Sequence, residues 1–101
     1  MTRSYISIRV QPGRRGELME VLDRVEVLTA VRNQPGFFAA EIQIPMDDEE
    51  HLLVWSSWAS PEHHDRWLTG PACEQMLREI GDLAAEPPVV RVYRVVDAVQ
   101  A

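Results

Sequence analysis

The stretch HLLVWSSWASPEHHDRW (residues 51–67) decides the fold, because a strand pattern passes directly into a helix start. Residues 52–55 are apolar at four successive positions, which indicates a strand that is covered on both faces. Ser60 is a residue type that caps helices, and Pro61 suits the first helical position, with Glu62 after it. The stretch therefore predicts a buried strand followed at once by a short helix.

The segments before this stretch show one strand and one helix. SYISIRVQ (residues 4–11) alternates between apolar and polar side chains, with Ile8 on the apolar face, as in a half-buried strand. In residues 17–32, apolar side chains recur at three- and four-residue steps, which predicts one amphipathic helix of about four turns. NQPG (residues 33–36) ends this helix, because proline and glycine cannot continue it.

Three further elements complete the chain. FFAAEIQI (residues 37–44) predicts a second strand, and the acidic PMDDEE (45–50) predicts a solvated hairpin loop. The face of this strand that is predicted to be apolar carries Phe38, Ala40, Ile42 and Ile44. A second helical segment opens at Pro71 with an apolar stripe. The stripe consists of Cys73, Met76, Leu77, Ile80 and Leu83. VVRVYRVV (89–96) is rich in β-branched residues and predicts the last strand.

The order strand, helix, strand, strand, helix, strand is that of the ferredoxin-like βαββαβ fold of the α+β class. We expect residues 1–101 to form one domain with a four-stranded antiparallel sheet and helices on one face. The other face stays open and partly apolar, which favours a homodimer that pairs two sheets into a dimeric α/β barrel. Depending on register, that face carries Phe37 or Phe38, Trp55 or Trp58, and Tyr93 or Val92.

Composition excludes several classes of protein. The net charge is −6 and the ten basic residues, all arginine, are scattered, which disfavours nucleic-acid binding. The N-terminal residues lack the apolar core of a signal peptide, and no stretch is apolar enough to span a bilayer. The single cysteine cannot form an internal disulfide. We therefore expect a cytoplasmic protein that has no membrane partner.

Three motifs in this order carry a resemblance to a known family. They are QPGF (34–37), LLVWSSWASPEHHDRW (52–67) and VYRVV (92–96). The chain resembles the antibiotic biosynthesis monooxygenase domain of the dimeric α/β-barrel group over nearly its whole length. That family includes cofactor-free oxygenases of anthrone-like polyketides and quinols, haem-degrading enzymes, and members without a known substrate. The resemblance thus implies the fold, a homodimer, and oxidation of a small aromatic by O₂.

Within the family, residues 58–76 are most similar to the haem-degrading branch. That resemblance implies a tryptophan over the haem, here Trp67, and a histidine ligand further along, at whose position this chain has Met76. It also implies an asparagine on the first strand, where this chain has Ile8, or Ser7 in the other register. Methionine can ligate haem iron, so haem binding stays open as an alternative.

Oxygenation without a cofactor needs an electron-rich substrate that loses a proton in an apolar pocket. We expect this pocket between sheet and helices, with Trp67 as its main wall. His63 lies one helical turn before Trp67, so it is the candidate base, and His64 is expected nearer the edge. The other predicted substrate contacts are Ile8, Phe38, Met76 and Leu77. The alternative interpretation is that Trp67 is core packing and both histidines are surface residues.

The remaining chemistry-bearing residues have structural interpretations. We expect His51 at the surface, and Cys73 as a small core residue without a nucleophilic role. The spacing of the histidines and the cysteine fits no standard zinc motif, so no metal site is predicted. Three strand arginines, Arg9, Arg91 and Arg94, are expected to form surface ion pairs, one of them with Glu41, or to reach the dimer barrel. The alternatives to a cofactor-free monooxygenase are a haem-binding or haem-degrading protein and a non-catalytic ligand-binding or interaction module.

Overall fold

A computed structural model describes all 101 residues. The strands are β1 (Thr2–Arg9), β2 (Phe37–Gln43), β3 (His51–Trp58) and β4 (Val89–Arg94). The helices are α1 (Arg15–Arg24), α2 (Val27–Arg32), α3 (Pro61–Leu68) and α4 (Pro71–Glu79). The four strands form one antiparallel sheet in the order β2-β3-β1-β4. The predicted ferredoxin-like α+β fold is confirmed.

The helices cover one face of the sheet and leave the other open. On the covered face Ile6 lies opposite Val54, and Ile8 lies opposite Leu52, with all four side chains buried. On the open face Tyr5 lies opposite Trp55. The register therefore places Trp58 under the helices and Trp55 on the open side. None of the helices has both the length and the apolar character needed to cross a bilayer.

The predicted helix over residues 17–32 is two helices, so the expectation of a single helix was wrong. α1 and α2 are separated at Glu26, whose backbone is left-handed with φ of 53°. Leu22 and Val27 are both buried. In a continuous helix five residues rotate the side chain by about 500°, which would turn Val27 about 140° away from Leu22. The break rotates α2 so that Val27 reaches the core.

The prediction that Phe38 lies on the buried face of β2 was also wrong. Phe37 pairs with Trp58 and Ala39 pairs with Ser57, so a β-bulge leaves Phe38 without a partner. A bulge adds one residue to a strand and shifts its alternation. Phe37 consequently packs edge-on against Trp58 at 5.6 Å, while Phe38 is 57% exposed.

Candidate active site

Local sequence positions α3 over the sheet. The Ser60 hydroxyl accepts a hydrogen bond from the His63 N–H at 3.3 Å, and Pro61 occupies the first turn. This is the predicted cap, and it satisfies one of the free N–H groups at the helix start. Because the helix starts directly after β3, its inner face lies on the ends of β1 and β3. His64 and Trp67 are the buried residues of that face.

An aromatic cluster fills the space between α3 and the sheet. Trp58 is fully buried and stacks on Trp67, with ring centroids 6.4 Å apart and ring planes 26° apart. His64 meets Trp58 edge-on at 6.0 Å. The indole N–H of Trp58 donates a hydrogen bond to the Ser56 hydroxyl at 2.8 Å. Trp58 is therefore fixed, and the imidazole of His64 lies against an aromatic wall.

His64 is a buried titratable group without a hydrogen-bond partner. Its side chain is 1% exposed, and neither ring nitrogen makes a hydrogen bond. The nearest carboxylate oxygen, on Asp65, is 3.9 Å from Nδ1, and the Asp65 side chain is 73% exposed. Burial lowers the pKa of His64, and Asp65 opposes this only in part. The imidazole is thus neutral near pH 7, with one ring nitrogen able to accept a proton.

The predicted placement of the two histidines was wrong. His64, expected near the edge, is buried, whereas His63 is only half-buried, with its Nδ1 2.7 Å from the Ser60 hydroxyl oxygen. Both residues neighbour Trp67 on a helix, three and four positions before it, so spacing alone could not choose between them. The cap contact holds His63 at the helix start and leaves His64 to face inward.

The other predicted site residues divide between core and surface. Ile8, Trp67 and Met76 belong to the buried core cluster, and Leu77 packs against it half-buried. Phe38 lies outside the cluster. Side chains fill the space around Trp67, and none of the three cavities in the structure is lined by any of these five residues.

The two larger cavities lie elsewhere. One, of about 570 Å³, lies on the open face of the sheet. It is lined by Arg3, Tyr5, Ser7, Leu53, Val89, Arg91 and Tyr93. The other, of about 530 Å³, lies where α1 and α2 meet the edge of β2, with Leu22, Val27 and Ile42 among its walls. Sequence reasoning anticipated neither cavity.

The remaining polar residues have local partners. The Nε2 of His51 is 2.6 Å from the Ser7 hydroxyl oxygen, and Arg9 pairs with Asp48 at 2.8 Å rather than with Glu41. Cys73 is buried as predicted, and burial raises the pKa of its thiol to about 11. No three histidine, cysteine or acidic side chains lie together in a way that could hold a metal ion.

Solved structures from several bacteria share this fold. A candidate antibiotic biosynthesis monooxygenase from Deinococcus radiodurans superposes with a TM-score of 0.85 at 17% identity, covering 100% of this chain and 98% of its own. A protein from Mycobacterium tuberculosis gives 0.84 at 19% identity, covering 98% of each chain. At these identities the likeness concerns the fold alone.

Comparison of sequences, rather than of folds, identifies the family. Two curated proteins, each named heme oxygenase (mycobilin-producing), from two strains of Mycobacterium tuberculosis, are 40% identical over 43 residues. The match covers 43% of this chain and spans about two fifths (41%) of the length of those relatives. The family model for antibiotic biosynthesis monooxygenase matches residues 1–79. The chain therefore belongs to the antibiotic biosynthesis monooxygenase family.

Proposed function

We propose that the protein is a cofactor-independent monooxygenase that oxidises a lipophilic aromatic substrate, with His64 as its general base. The observation that carries this proposal is the neutral, unpartnered imidazole of His64, sealed against Trp58. Buried polar groups are almost always hydrogen-bonded, so an exception needs an explanation, and a catalytic role is one. Membership of the monooxygenase family supports oxygenation as the class of reaction.

The proposed reaction needs only a base and apolar surface from the protein. His64 removes a proton from a phenol or from the acidic methylene of an anthrone, and the resulting anion passes electrons to O₂. For an anthrone, a ring CH₂ becomes C=O, one oxygen atom enters the product, and the other leaves as water with the two hydrogens. The substrate is itself the reductant. Trp58 and Trp67 supply apolar surface that excludes water from the anion.

Substrate access requires α3 to move, because side chains fill the space around His64. α3 has only eight residues, and Thr69 and the Gly70–Pro71 break follow it, so we propose that α3 shifts as a unit to admit the substrate. In the proposed complex, the substrate ring takes the space that Trp67 fills in the free protein. Lid-like motions of this kind are common in enzymes that must exclude water.

The proposed assembly is a homodimer paired through the open sheet face. Val89 and Tyr93 on this face are each about half exposed, and Leu53 and Trp55 lie between them and β2. Apolar surface of this kind usually marks an interface. Pairing two such faces would give the barrel that the family resemblance implies.

Oxygen uptake tests the proposal directly. A panel of hydroquinones, naphthols and anthrones is offered to the protein, and consumption of O₂ is followed with an electrode. We expect His64→Gln to abolish uptake and His63→Gln, its matched neighbour, to retain it. Equal activity of the two variants would remove His64 from the mechanism. If the parent protein consumes oxygen with no member of the panel, a non-catalytic binding module becomes the better interpretation.

Haem handling is a second candidate function, favoured by the segment that is 40% identical to the heme oxygenases. The residues present do not fit a haem group as they stand. Met76, fully buried in the core, offers a thioether at the position where the resemblance implies a histidine ligand. We therefore expect haem titration to give no tight Soret complex. A one-to-one complex whose Soret band is lost with reductant and O₂ would instead establish this second function.

A further inference from the structure

Two buried serines lie on the sheet beneath α3. Ser4 is near the start of β1 and Ser56 is near the end of β3, and the two residues lie opposite each other in the sheet. Both side chains are buried on the covered face, and α3 lies over these ends of the two strands. The sheet is therefore polar beneath α3, although the next pair along the same face, Ile6 and Val54, is aliphatic.

The two serines differ in their hydrogen bonds. The Ser56 hydroxyl accepts a hydrogen bond from the Trp58 indole N–H at 2.8 Å. The Ser4 hydroxyl is buried and has no hydrogen-bond partner. A buried hydroxyl without a partner costs free energy, and an oxygen atom of a bound molecule would recover it. Ser56 thus has a role in holding Trp58, whereas nothing in the fold uses the hydroxyl of Ser4.

His64 is the second buried group beneath α3 that has no partner. Its ring contacts Trp58, and Trp58 is hydrogen-bonded to Ser56, directly opposite Ser4. The remaining buried side-chain atom without a partner is the Nε of Arg3, whose guanidinium group lies by Trp55 on the other face of the sheet. The unpartnered hydroxyl and the unpartnered imidazole therefore share one layer, between α3 and the sheet.

We propose that the Ser4 hydroxyl donates a hydrogen bond to the substrate, and so selects aromatics that carry an oxygen in addition to the group deprotonated by His64. The inference rests on the proposed function, because it takes the space beneath α3 as the substrate site. His64 accepts the proton, whereas Ser4 keeps its own and donates only a hydrogen bond, which strengthens as the substrate oxygen becomes negative. A site built to hydrogen-bond a substrate oxygen rejects the analogue that lacks it.

Binding in the absence of O₂ tests this role of Ser4. Calorimetry under nitrogen compares 1,4-naphthalenediol with 1-naphthol, which lacks the second oxygen. We expect the parent protein to bind the diol about tenfold more tightly than 1-naphthol, and Ser4→Ala to bind the two compounds alike. Ser57→Ala is the matched control and should keep the preference of the parent protein, because Ser57 is also buried but lies on the opposite face of the sheet.

Unfolding in urea separates a binding role from a structural one. Ser4→Ala removes an oxygen atom that has no partner, so the midpoint of unfolding should stay the same or rise. Ser56→Ala should lower the midpoint, because the buried Trp58 N–H loses its acceptor. A clear loss of stability in Ser4→Ala, with the preference for the diol unchanged, would assign the hydroxyl to the fold and overturn the inference.

Oxygen uptake, corrected for the uncatalysed reaction, distinguishes failure of this inference from failure of the proposed function. If His64→Gln abolishes uptake but Ser4→Ala changes uptake of the diol and of 1-naphthol in the same proportion, the oxygenase stands and the role of Ser4 is wrong. If the parent protein consumes no O₂ but prefers the diol through Ser4, the oxygenase proposal is wrong and Ser4 is a binding residue. A parent protein that binds neither compound overturns the role of Ser4.

Discussion

The imidazole of His63 lies directly against Gly36: a methyl group placed on Gly36 would come within 2.3 Å of the His63 Cγ. Gly36 has φ of 75° and starts the chain into β2, and its carbonyl accepts a hydrogen bond from the Ala59 N–H at 2.8 Å. The glycine therefore joins the turn before β2 to the loop before α3. The His63 ring packs against Gly36 at this junction and also contacts Ser60.

Gly36→Ala should destabilise the protein more than Gly13→Ala does. Both glycines have a left-handed backbone, with φ of 75° and 76°. Backbone strain should therefore lower the free energy of unfolding by a similar amount in both variants, about 1–2 kcal/mol. Only Gly36 faces a side chain, because no atom lies within 4 Å of a methyl group on Gly13. Urea unfolding measures the difference. The double variant Gly36→Ala/His63→Ala should recover only part of the steric cost, because the Cβ of residue 63 stays 2.8 Å from the added methyl group. Fully additive losses would contradict the contact.

His64→Leu should abolish oxygen uptake without lowering stability. The substitution removes two buried nitrogens that have no partner and replaces them with an apolar group of similar size. Removing such unsatisfied groups can be neutral or can stabilise by about 1–3 kcal/mol. Urea unfolding at pH 7 gives the free energy, with His63→Leu as the neighbouring control. A marked loss of stability in His64→Leu would show that the imidazole makes contacts essential to the core.

The buried imidazole of His64 should also change how the free energy of unfolding depends on pH. Burial holds the pKa of His64 below its ordinary 6.5, so the unfolded chain binds the proton more readily than the folded one. The free energy of unfolding is then at its full value above about pH 6.5 and falls as the pH drops through the folded pKa. We expect the parent protein to lose more stability between pH 7 and pH 5 than His64→Leu does. Parallel pH profiles of the two proteins would show that His64 is not buried in solution.

Local signals in the sequence predicted most of the fold. The cap at Ser60, the strand alternation around Ile8 and the order of the elements each follow from interactions within a few residues. The errors come from contacts between elements. Spacing could not reveal the bulge that exposes Phe38, because it depends on how β2 pairs with β3. The break at Glu26 follows from the need to bury Val27 against the sheet.

The candidate site was harder to predict than the fold. Trp67 is buried, as its spacing on α3 indicated, but its role as a pocket wall stays a prediction. The choice between His63 and His64 depended on contacts of His63 with the cap residue Ser60 and with Gly36, which is distant in sequence. The cavity on the open face of the sheet was missed, although the alternation of β1 and β4 puts two of its lining residues, Arg3 and Arg91, on one face. The sequence did not show the register of β1 against β4, which brings these residues close together.

Cys73 should resist thiol reagents in the folded protein. It is fully buried, and its pKa of about 11 leaves only about a thousandth of the thiol ionised at pH 8. We expect slow reaction with a disulfide reagent such as 5,5′-dithiobis(2-nitrobenzoate) in buffer and rapid, stoichiometric reaction in urea. Rapid labelling of the native protein would mean that α4 opens readily, which would also make the closed space at Met76 accessible to ligands.

Charge placed on the open face of the sheet should dissociate the proposed dimer. Leu53 lies on the middle of that face, where an aspartate would be buried without a partner if two sheets pair. Light scattering of the parent protein should give about twice the chain mass of 11.5 kDa, and Leu53→Asp should give the single chain mass. Met46→Asp is the control, because Met46 is fully exposed in the loop before β3.

A second variant separates loss of pairing from loss of folding. Val89→Asp carries the charge at a half-exposed position on β4, where it should leave the monomer folded and still weaken the dimer. Circular dichroism checks that both variants keep the native helix and strand content. If both remain folded dimers, the open face is not the interface. If the parent protein is a monomer at micromolar concentration, the barrel proposal is wrong.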